Sequence, residues 1–316
     1  MRMTSSPTTA HPSSVTPDRT DRITYGAVHL TVCDLDRSLV FWRDLIGLHA
    51  LASDSGQARL GVDGRSLIVL HAGAQRPVGQ GHAGLYHVAV HLPDATEFAR
   101  VLARLILART PQSPTDHVFS KATYLNDPDG ILLELTLETP ERFAAIEIGA
   151  RSVVMIDSEG RRRGPTESLD IDEALAPLGD NNPQARLPGG TRVGHVHLHV
   201  PDLQAAHVFY RDVVGFDAHA YMPPYGMADL SAGGAFPHRL ALNDWHGPGA
   251  RQPQEGVAGM SRFELVVGEG GQLDALAGRL DAAGVVCAPE RTGALVFTDP
   301  AGNTIAASAA VVPSGT

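Results

Sequence analysis

The chain has 316 residues, which at about 150 residues per domain indicates two domains, and its 43% hydrophobic and 19% charged residues are typical of a globular protein. A net charge of −10 excludes a general nucleic-acid binder, and no apolar run approaches the ~20 residues that cross a bilayer, so we expect neither nucleic acid nor membrane as a partner. Two cysteines exclude a disulfide scaffold, whereas 15 histidines favour a metal or acid–base site.

Residues 1–22 are polar and rich in Pro, Ser and Thr. We expect a disordered leader there. Because it lacks the apolar stretch of a secretion signal, we also expect a cytoplasmic protein.

An internal repeat follows. Residues 26–48 and 194–216 align without a gap at an offset of 168, with 12 identities in 23 positions. Each segment alternates apolar and polar residues, which predicts a strand, and then continues as a helix. The predicted helices have an N-terminal Asp and a C-terminal Gly, namely Asp34 with Gly47 and Asp202 with Gly215.

A weaker repeat lies inside each copy. Residues 85–108 and 261–284 again change from a strand pattern to a helix pattern. Both are followed by hairpin-turn sequences, Asp-Pro-Asp-Gly within 124–135 and Asp-Pro-Ala-Gly within 296–307. The sequence therefore predicts four units, each a strand, a helix and about three strands, which we call modules one to four.

Residues 141–190 fit neither copy. They contain a strand-like RSVVMID and an acidic, helix-like ESLDIDEALAPL. We interpret this segment as a connector with some structure of its own.

The signature V-x-D-L-x-x-S-x-x-F-W/Y-x-D-x-x-G-L and the ending DPDG-x-x-x-E resemble the vicinal oxygen chelate superfamily, which includes glyoxalase I, bleomycin-resistance proteins and extradiol dioxygenases. GLYHVAV, TDHVFSKATYLNDPDG and GHVHLHVPDL, in this order, are most similar to the bacterial catechol 2,3-dioxygenase group. The resemblance implies an α+β fold of four βαβββ modules, paired into two domains that each curl a mixed sheet around a cleft. We expect an N-terminal pair over 23–140, the connector over 141–190 and a C-terminal pair over 191–311.

In this family, metal ligands lie at the first and last strands of a module. The resemblance assigns His87 and Glu134 to these positions in module two, and both are suitable ligands for a divalent metal. In module one the first-strand position is Ala27, which cannot ligate, and the last-strand position falls at or near His71. We therefore expect His71, His87 and Glu134 to bind the metal in the N-terminal half.

The C-terminal half retains fewer ligands. His195 fills the first-strand position of module three, but Ala306 stands where module two has Glu134. A structural or substrate-lining role for the His195, His197 and His199 row is favoured, with a vestigial or second metal site that includes His238 as the alternative.

Three further residues are candidate catalytic groups. Tyr124 precedes Glu134 by 10 residues, the spacing of an active-site Tyr in extradiol enzymes, and His117 resembles a His that steers oxygen or a proton. If His71 acts as acid–base instead of ligand, His29 is the alternative third ligand, and we retain it as a catalytic candidate.

The resemblance implies an Fe(II)- or Mn(II)-dependent extradiol dioxygenase. A two-His-one-carboxylate set leaves positions open on Fe(II), as a reaction between an aromatic substrate and dioxygen requires. The expected partners are a catechol- or hydroquinone-type aromatic and dioxygen, and a homodimer is left open. The alternatives are a non-oxidative lyase, isomerase or hydrolase on the same fold, and a metal-free binding protein.

Overall fold

The computed structural model describes residues 20–268 and 271–310. Most of the predicted leader, residues 1–19, lies outside the described residues. None of the helices in these two ranges combines the length and apolar character needed to cross a membrane.

All four modules have the predicted order of strand, helix and three strands. Module one comprises β1 (Ile23–Val32), α1 (Leu35–Val40) continued by a π-helical turn (Phe41–Ile46), β2 (His49–Ser53), β3 (Gln57–Val62) and β4 (Arg65–Ala72). Module two comprises β5 (Gly84–Leu92), α2 (Ala95–Leu107), β6 (Ser113–Asp116), β7 (Ser120–Asn126) and β8 (Leu132–Glu138).

The second half repeats this order after the connector. The connector comprises a 3₁₀ turn (Pro140–Arg142), β9 (Phe143–Ile148), β10 (Val153–Asp157), β11 (Arg162–Arg163), β12 (Glu167–Ser168), α3 (Ile171–Leu175) and a 3₁₀ turn (Ala176–Leu178). Module three comprises β13 (Arg192–His199), α4 (Leu203–Val208) with a π-helical turn (Phe209–Val214), β14 (Asp217–Met222), a 3₁₀ turn (Pro223–Tyr225), β15 (Met227–Ser231) and β16 (Leu240–Asn243). Module four comprises β17 (Gly259–Val267), α5 (Gln272–Ala282), β18 (Ala288–Pro289), β19 (Leu295–Thr298) and β20 (Thr304–Ala309).

The repeated helices begin and end as predicted. The Asp34 carboxylate accepts from the Arg37 backbone N–H at 3.0 Å, and that of Asp202 from the Ala205 N–H at 2.9 Å. Each helix ends at a glycine, Gly47 with φ of 99° and Gly215 with φ of 107°. Glycine is favoured at both ends because a Cβ strains the backbone at positive φ.

Two mixed sheets form from these modules, but with different partners from those predicted. β5 pairs antiparallel with β13 in a nine-stranded sheet of modules two and three, which β12 of the connector extends. β1 pairs antiparallel with β17 in an eight-stranded sheet of modules one and four. The predicted pairing within 23–140 and within 191–311 is therefore wrong, because each half of the chain contributes one module to each sheet.

The hydrophobic core lies between the helices and one face of each sheet. Val28, Leu30 and Val32 are fully buried there, as the alternation in β1 predicted, and they belong to the same apolar cluster as Trp42. Since successive strand residues point to opposite faces, the polar residues between them face the clefts. The fold thus places a row of polar strand positions along each cleft.

Candidate metal centre

Three ionisable side chains meet at the centre of the nine-stranded sheet. His87 on β5 lies opposite His197 on β13, and Glu134 on the parallel strand β8 lies opposite Ala89 on β5. His195 is two residues from His197 and so shares its face of the sheet. Strand alternation therefore directs His87, Glu134 and His195 into one cleft.

The three groups are close together and buried. Glu134 Oε2 lies 3.0 Å from His87 Nε2 and 3.1 Å from His195 Nε2, and the two imidazole nitrogens are 3.1 Å apart. Their exposed fractions are 3% or less. All three ligand atoms thus lie within 4.8 Å of one another, a spacing that one cation can bridge.

A hydrogen-bonded chain fixes the proton of His195. Glu138 Oε1 accepts from His91 Nδ1 at 2.7 Å, and His91 Nε2 lies 2.8 Å from His195 Nδ1. Because the carboxylate only accepts, a neutral His91 accepts from the His195 Nδ1–H. The Nε2 of His195 therefore presents a lone pair to Glu134, which is the orientation that a metal-ligating histidine needs.

Charge and burial support this assignment. Burial opposes ionisation of Glu138, but the hydrogen bond from His91 and the guanidinium of Arg239 outweigh it and hold the pKa of Glu138 well below its usual range. Burial lowers the pKa of His195 and of His87, so both imidazoles are neutral and available as ligands.

The donor set fits a divalent cation. One carboxylate oxygen and two imidazole nitrogens converge, and the proton chain leaves His195 without an Nε2 proton to offer Glu134. Two imidazoles and a carboxylate suit first-row transition metals. His87, Glu134 and His195 could thus hold such an ion, with Glu138 and His91 orienting one ligand.

A second group of histidines lies beside the first. His87, His197 and His238 also have ligand atoms within 4.8 Å of one another. This group contains no carboxylate, and Nε2 of His197 accepts from the Asn243 amide at 2.9 Å. We therefore prefer the group that contains Glu134.

The cluster opens into a cavity of about 610 Å³. Its wall is largely apolar and includes Phe119, Met155, Met222 and Trp245. The connector supplies Ile146, Val153, Met155, Pro165 and Thr166, so it covers the cleft as well as joining the modules. A volume of this size is typical of small-molecule sites.

A tyrosine–histidine pair lines the same cavity. The carbonyl of Pro165 accepts from Nδ1 of His117 at 2.8 Å. With that proton engaged, Nε2 of His117 accepts from the Tyr124 hydroxyl at 2.9 Å. Burial raises the pKa of Tyr124 well above its usual value, and the neighbouring Glu134 carboxylate adds to the effect. Tyr124 and Glu134 are directly opposite on β7 and β8, as their positions either side of the hairpin turn predicted.

His238 lies on the module-three side of the cavity. Its Nδ1 lies 3.0 Å from Asp229 Oδ1, and its ring contacts that of His195 with centroids 4.5 Å apart. Burial alone would lower the pKa of His238, but Asp229 outweighs burial and raises it. Sequence reasoning named His238 only as part of an alternative site, because the loop before β16 carries no strand or helix periodicity.

Two predicted site residues belong elsewhere. His71 on β4 and His29 on β1 lie in the eight-stranded sheet, and His29 Nδ1 is 2.9 Å from His71 Nε2. The expectation that either one acts beside His87 and Glu134 is therefore wrong, because module one pairs with module four and not with module two.

The histidine that lies beside His87 and Glu134 instead is His195. The repeat places it at a first-strand ligand position, but Ala306, where module two has Glu134, predicts no complete ligand set in the C-terminal half. Because β5 pairs with β13, His195 on the first strand of module three lies close to His87 on the first strand of module two.

Four βαβββ modules, paired into two curled sheets with a His–Glu–His cluster in one cleft, define a protein of the vicinal-oxygen-chelate class. The model of the Glyoxalase/Bleomycin resistance protein/Dioxygenase superfamily matches residues 21–135 and 192–307. The chain belongs to that superfamily.

A relative of similar sequence agrees with this membership, and two solved structures share the fold. A protein of Bacillus subtilis (strain 168) named catechol-2,3-dioxygenase is 36% identical over 262 residues, which cover 82% of this chain and 88% of that protein. A solved structure of a candidate dioxygenase from Bacillus subtilis subsp. subtilis str. 168 superposes with a TM-score of 0.61 at 15% identity, covering 90% of this chain and 85% of that one. The structure of glyoxalase I from Zea mays superposes with a TM-score of 0.53 at 15% identity, covering 91% of this chain and 92% of that one.

Proposed function

We propose that this protein is a metal-dependent extradiol dioxygenase, which opens the ring of a catechol- or hydroquinone-type aromatic. The observation that carries the proposal is the buried cluster of His87, Glu134 and His195, of which His87 and Glu134 line a largely apolar cavity. The 36% identical relative named catechol-2,3-dioxygenase supports it.

The proposed metal is Fe(II), with Mn(II) as the alternative, held by His87, Glu134 and His195. When bound, such an ion supplies a Lewis-acid and redox centre with open positions for substrate oxygens and dioxygen. The chain contributes neutral imidazoles and a carboxylate. His195 donates to His91 and His91 donates to Glu138, which keeps the His195 lone pair directed at the site.

The cavity favours a small aromatic ring. Phe119, Met155 and Trp245 offer apolar contact, and exclusion of water from such a wall strengthens the polar contacts inside it. The polar side chains in the lining would orient the ring hydroxyls towards Glu134 and Tyr124.

Tyr124 and His117 would handle a substrate proton. The Tyr124 O–H donates to Nε2 of His117, so the phenol oxygen can accept a hydrogen bond from a substrate hydroxyl. As that hydroxyl loses its proton to the Tyr124 oxygen, the Tyr124 proton passes to His117, and Pro165 keeps the His117 ring in place. His238, backed by Asp229, offers a second hydrogen-bonding group from the other wall.

The second candidate is a non-oxidative lyase or isomerase. The same ligand set and the same Tyr124–His117 pair could polarise a carbonyl and move a proton without dioxygen. A metal-free binding protein is disfavoured because the buried cluster has the composition of a metal site.

An oxygen electrode distinguishes these functions. The Fe(II)-reconstituted protein should consume dioxygen with catechols and give a yellow ring-opened product. Glu134→Gln should abolish oxygen uptake. The matched control is Glu173→Gln, which should retain uptake because Glu173 is an exposed residue that pairs with Lys121. No uptake across a panel of catechols and hydroquinones, with iron shown to be bound, would transfer the proposal to the non-oxidative candidate.

A further inference from the structure

The eight-stranded sheet contains a second cleft whose metal-ligand positions are lost. The repeat offset places Ala27 at the position that His195 has in the first cleft. Arg262 is at the position of His87, because Arg262 pairs with His29 on β1 and His87 pairs with His197 on β13. Ala306 is at the position of Glu134, because Ala306 pairs with Glu264 on β17 and Glu134 pairs with Ala89 on β5. Two alanines and an arginine cannot repeat the metal centre.

This cleft nevertheless contains an ordered polar chain. Its volume is about 770 Å³, and His29, His71 and Glu264 line it. Glu264 Oε1 lies 2.9 Å from His29 Nε2, and His29 Nδ1 lies 2.9 Å from His71 Nε2. The other oxygen of Glu264 accepts from the Ala27 backbone N–H at 3.0 Å. These residues are hydrogen-bonded to one another, whereas at the first cleft His195 presents a lone pair to Glu134.

The direction of these hydrogen bonds leaves one acceptor in the cleft. Burial opposes ionisation of Glu264, but the hydrogen bond from His29 outweighs it and lowers the pKa of Glu264, so the carboxylate accepts from the His29 Nε2–H. With its Nε2 proton donated to Glu264, His29 offers Nδ1 as the acceptor for the His71 Nε2–H, which leaves a lone pair on His71 Nδ1. Within residues 20–268 and 271–310, this nitrogen has no hydrogen-bond partner.

A cation lies on the same face. Arg59 on β3 is two residues from Gln57, which pairs with His71 on β4, so Arg59 and His71 are diagonal neighbours. The Arg59 Nε donates to Ser66 Oγ at 2.9 Å, and no carboxylate of the described chain lies within ion-pair distance of its guanidinium. Arg262, by contrast, is paired with Glu290.

We propose that this cleft is a second, metal-free binding site for a small molecule that carries both a hydroxyl group and a carboxylate. The hydroxyl donates to Nδ1 of His71, and the carboxylate accepts two hydrogen bonds from Arg59. The carboxylates of Glu264 and Glu290 disfavour a dianion such as a phosphate. Since Ala27 lines the cleft and carries no long side chain, the cleft has room for the body of the ligand.

The test is calorimetric titration of the full, metal-loaded protein with 3-hydroxybenzoate, whose separated groups do not chelate a metal. Benzoate and phenol, each lacking one group, are the matched ligands. We expect saturable binding of 3-hydroxybenzoate and affinities about tenfold weaker for the other two. His71→Ala and Arg59→Ala should each weaken 3-hydroxybenzoate about tenfold.

His49→Ala and Arg65→Ala are the control variants, because both residues are exposed on the same sheet and neither lines the cleft. Their affinities should equal that of the wild type. The proposal is overturned by no saturation up to about 10 mM, by equal binding of all three ligands, or by affinities that neither His71→Ala nor Arg59→Ala changes. Arg59 is exposed, so its substitution tests the site even if His71→Ala perturbs folding.

Discussion

Removal of one hydroxyl from the cavity wall separates chemistry from metal binding. Tyr124→Phe deletes the oxygen that lies 2.9 Å from His117 Nε2 and retains the ring beside His87, with which it has a centroid distance of 5.5 Å. The packing is therefore conserved, and the loss of one hydrogen bond should change the free energy of unfolding by only about 1 kcal/mol. Metal content should stay at the wild-type value.

The rate should respond far more strongly. If the Tyr124 oxygen accepts the substrate proton while its own proton moves to His117, its loss should lower kcat by about 10²–10³, the range found for groups that act in the transition state. His117→Ala should cause a loss of similar size. The double variant should be little slower than either single variant, because the two residues act as one unit.

The assay is steady-state oxygen uptake with a catechol at saturating concentration, with metal content measured on the same samples. Phe119→Leu, a substitution in the same wall without a polar group, controls for altered packing. An unchanged kcat in Tyr124→Phe with normal metal loading would refute the reasoning and return Tyr124 to a packing role. Fully additive losses in the double variant would refute the coupling to His117.

Other expected outcomes follow from the same contacts. Glu138→Gln should lower metal affinity about 10–100-fold while the protein stays folded, because the carboxylate no longer fixes the His91 and His195 protons; equal affinity in metal titrations would contradict the role of this chain. Burial lowers the pKa of His199 to about 4, so its contribution to stability is present above the unfolded pKa of about 6.5 and is lost as the pH falls towards 4, by about 1.4 kcal/mol per pH unit. Denaturant unfolding of the metal-free protein at pH 7.5 and pH 5 should therefore show a smaller pH effect in His199→Gln than in the wild type, and equal effects would contradict the burial argument. Trp245→Ala should raise KM more than it lowers kcat, since it removes apolar contact and no proton-handling group.

Much of the fold followed from the sequence because its elements are locally specified. Each of these signals acts over a few residues: the alternation in β1, the caps at Asp34 and Asp202, and the positive-φ glycines. Because the sequence repeats, the same signals predict four modules. The partner of each module was not locally specified. The repeat gives modules one and three similar first strands, so the sequence pattern alone does not choose between the two pairings. The cytoplasmic location and the homodimer stay predictions.

That single topological choice decided the candidate site. His87 and Glu134 lie in one module, so the order of strands β5 and β8 was enough to bring them together. The third histidine comes from whichever first strand lies beside β5, and this strand is β13 with His195 and not β1 with His29. His117 and Tyr124 lie in the same cavity because they belong to module two as well, and their proposed roles await the experiments above.

The most direct test of the account is the metal content of two matched variants, His195→Ala and His71→Ala. Each protein is purified, loaded with Fe(II) or Mn(II) under anaerobic conditions, desalted and measured by mass spectrometry of the metal alongside the wild type. Because His195 lies 3.1 Å from Glu134 whereas His71 lies in the other cleft, His195→Ala should lose the metal and His71→Ala should retain about one ion per chain. Retention by His195→Ala together with loss by His71→Ala would contradict the assignment of the metal centre to modules two and three.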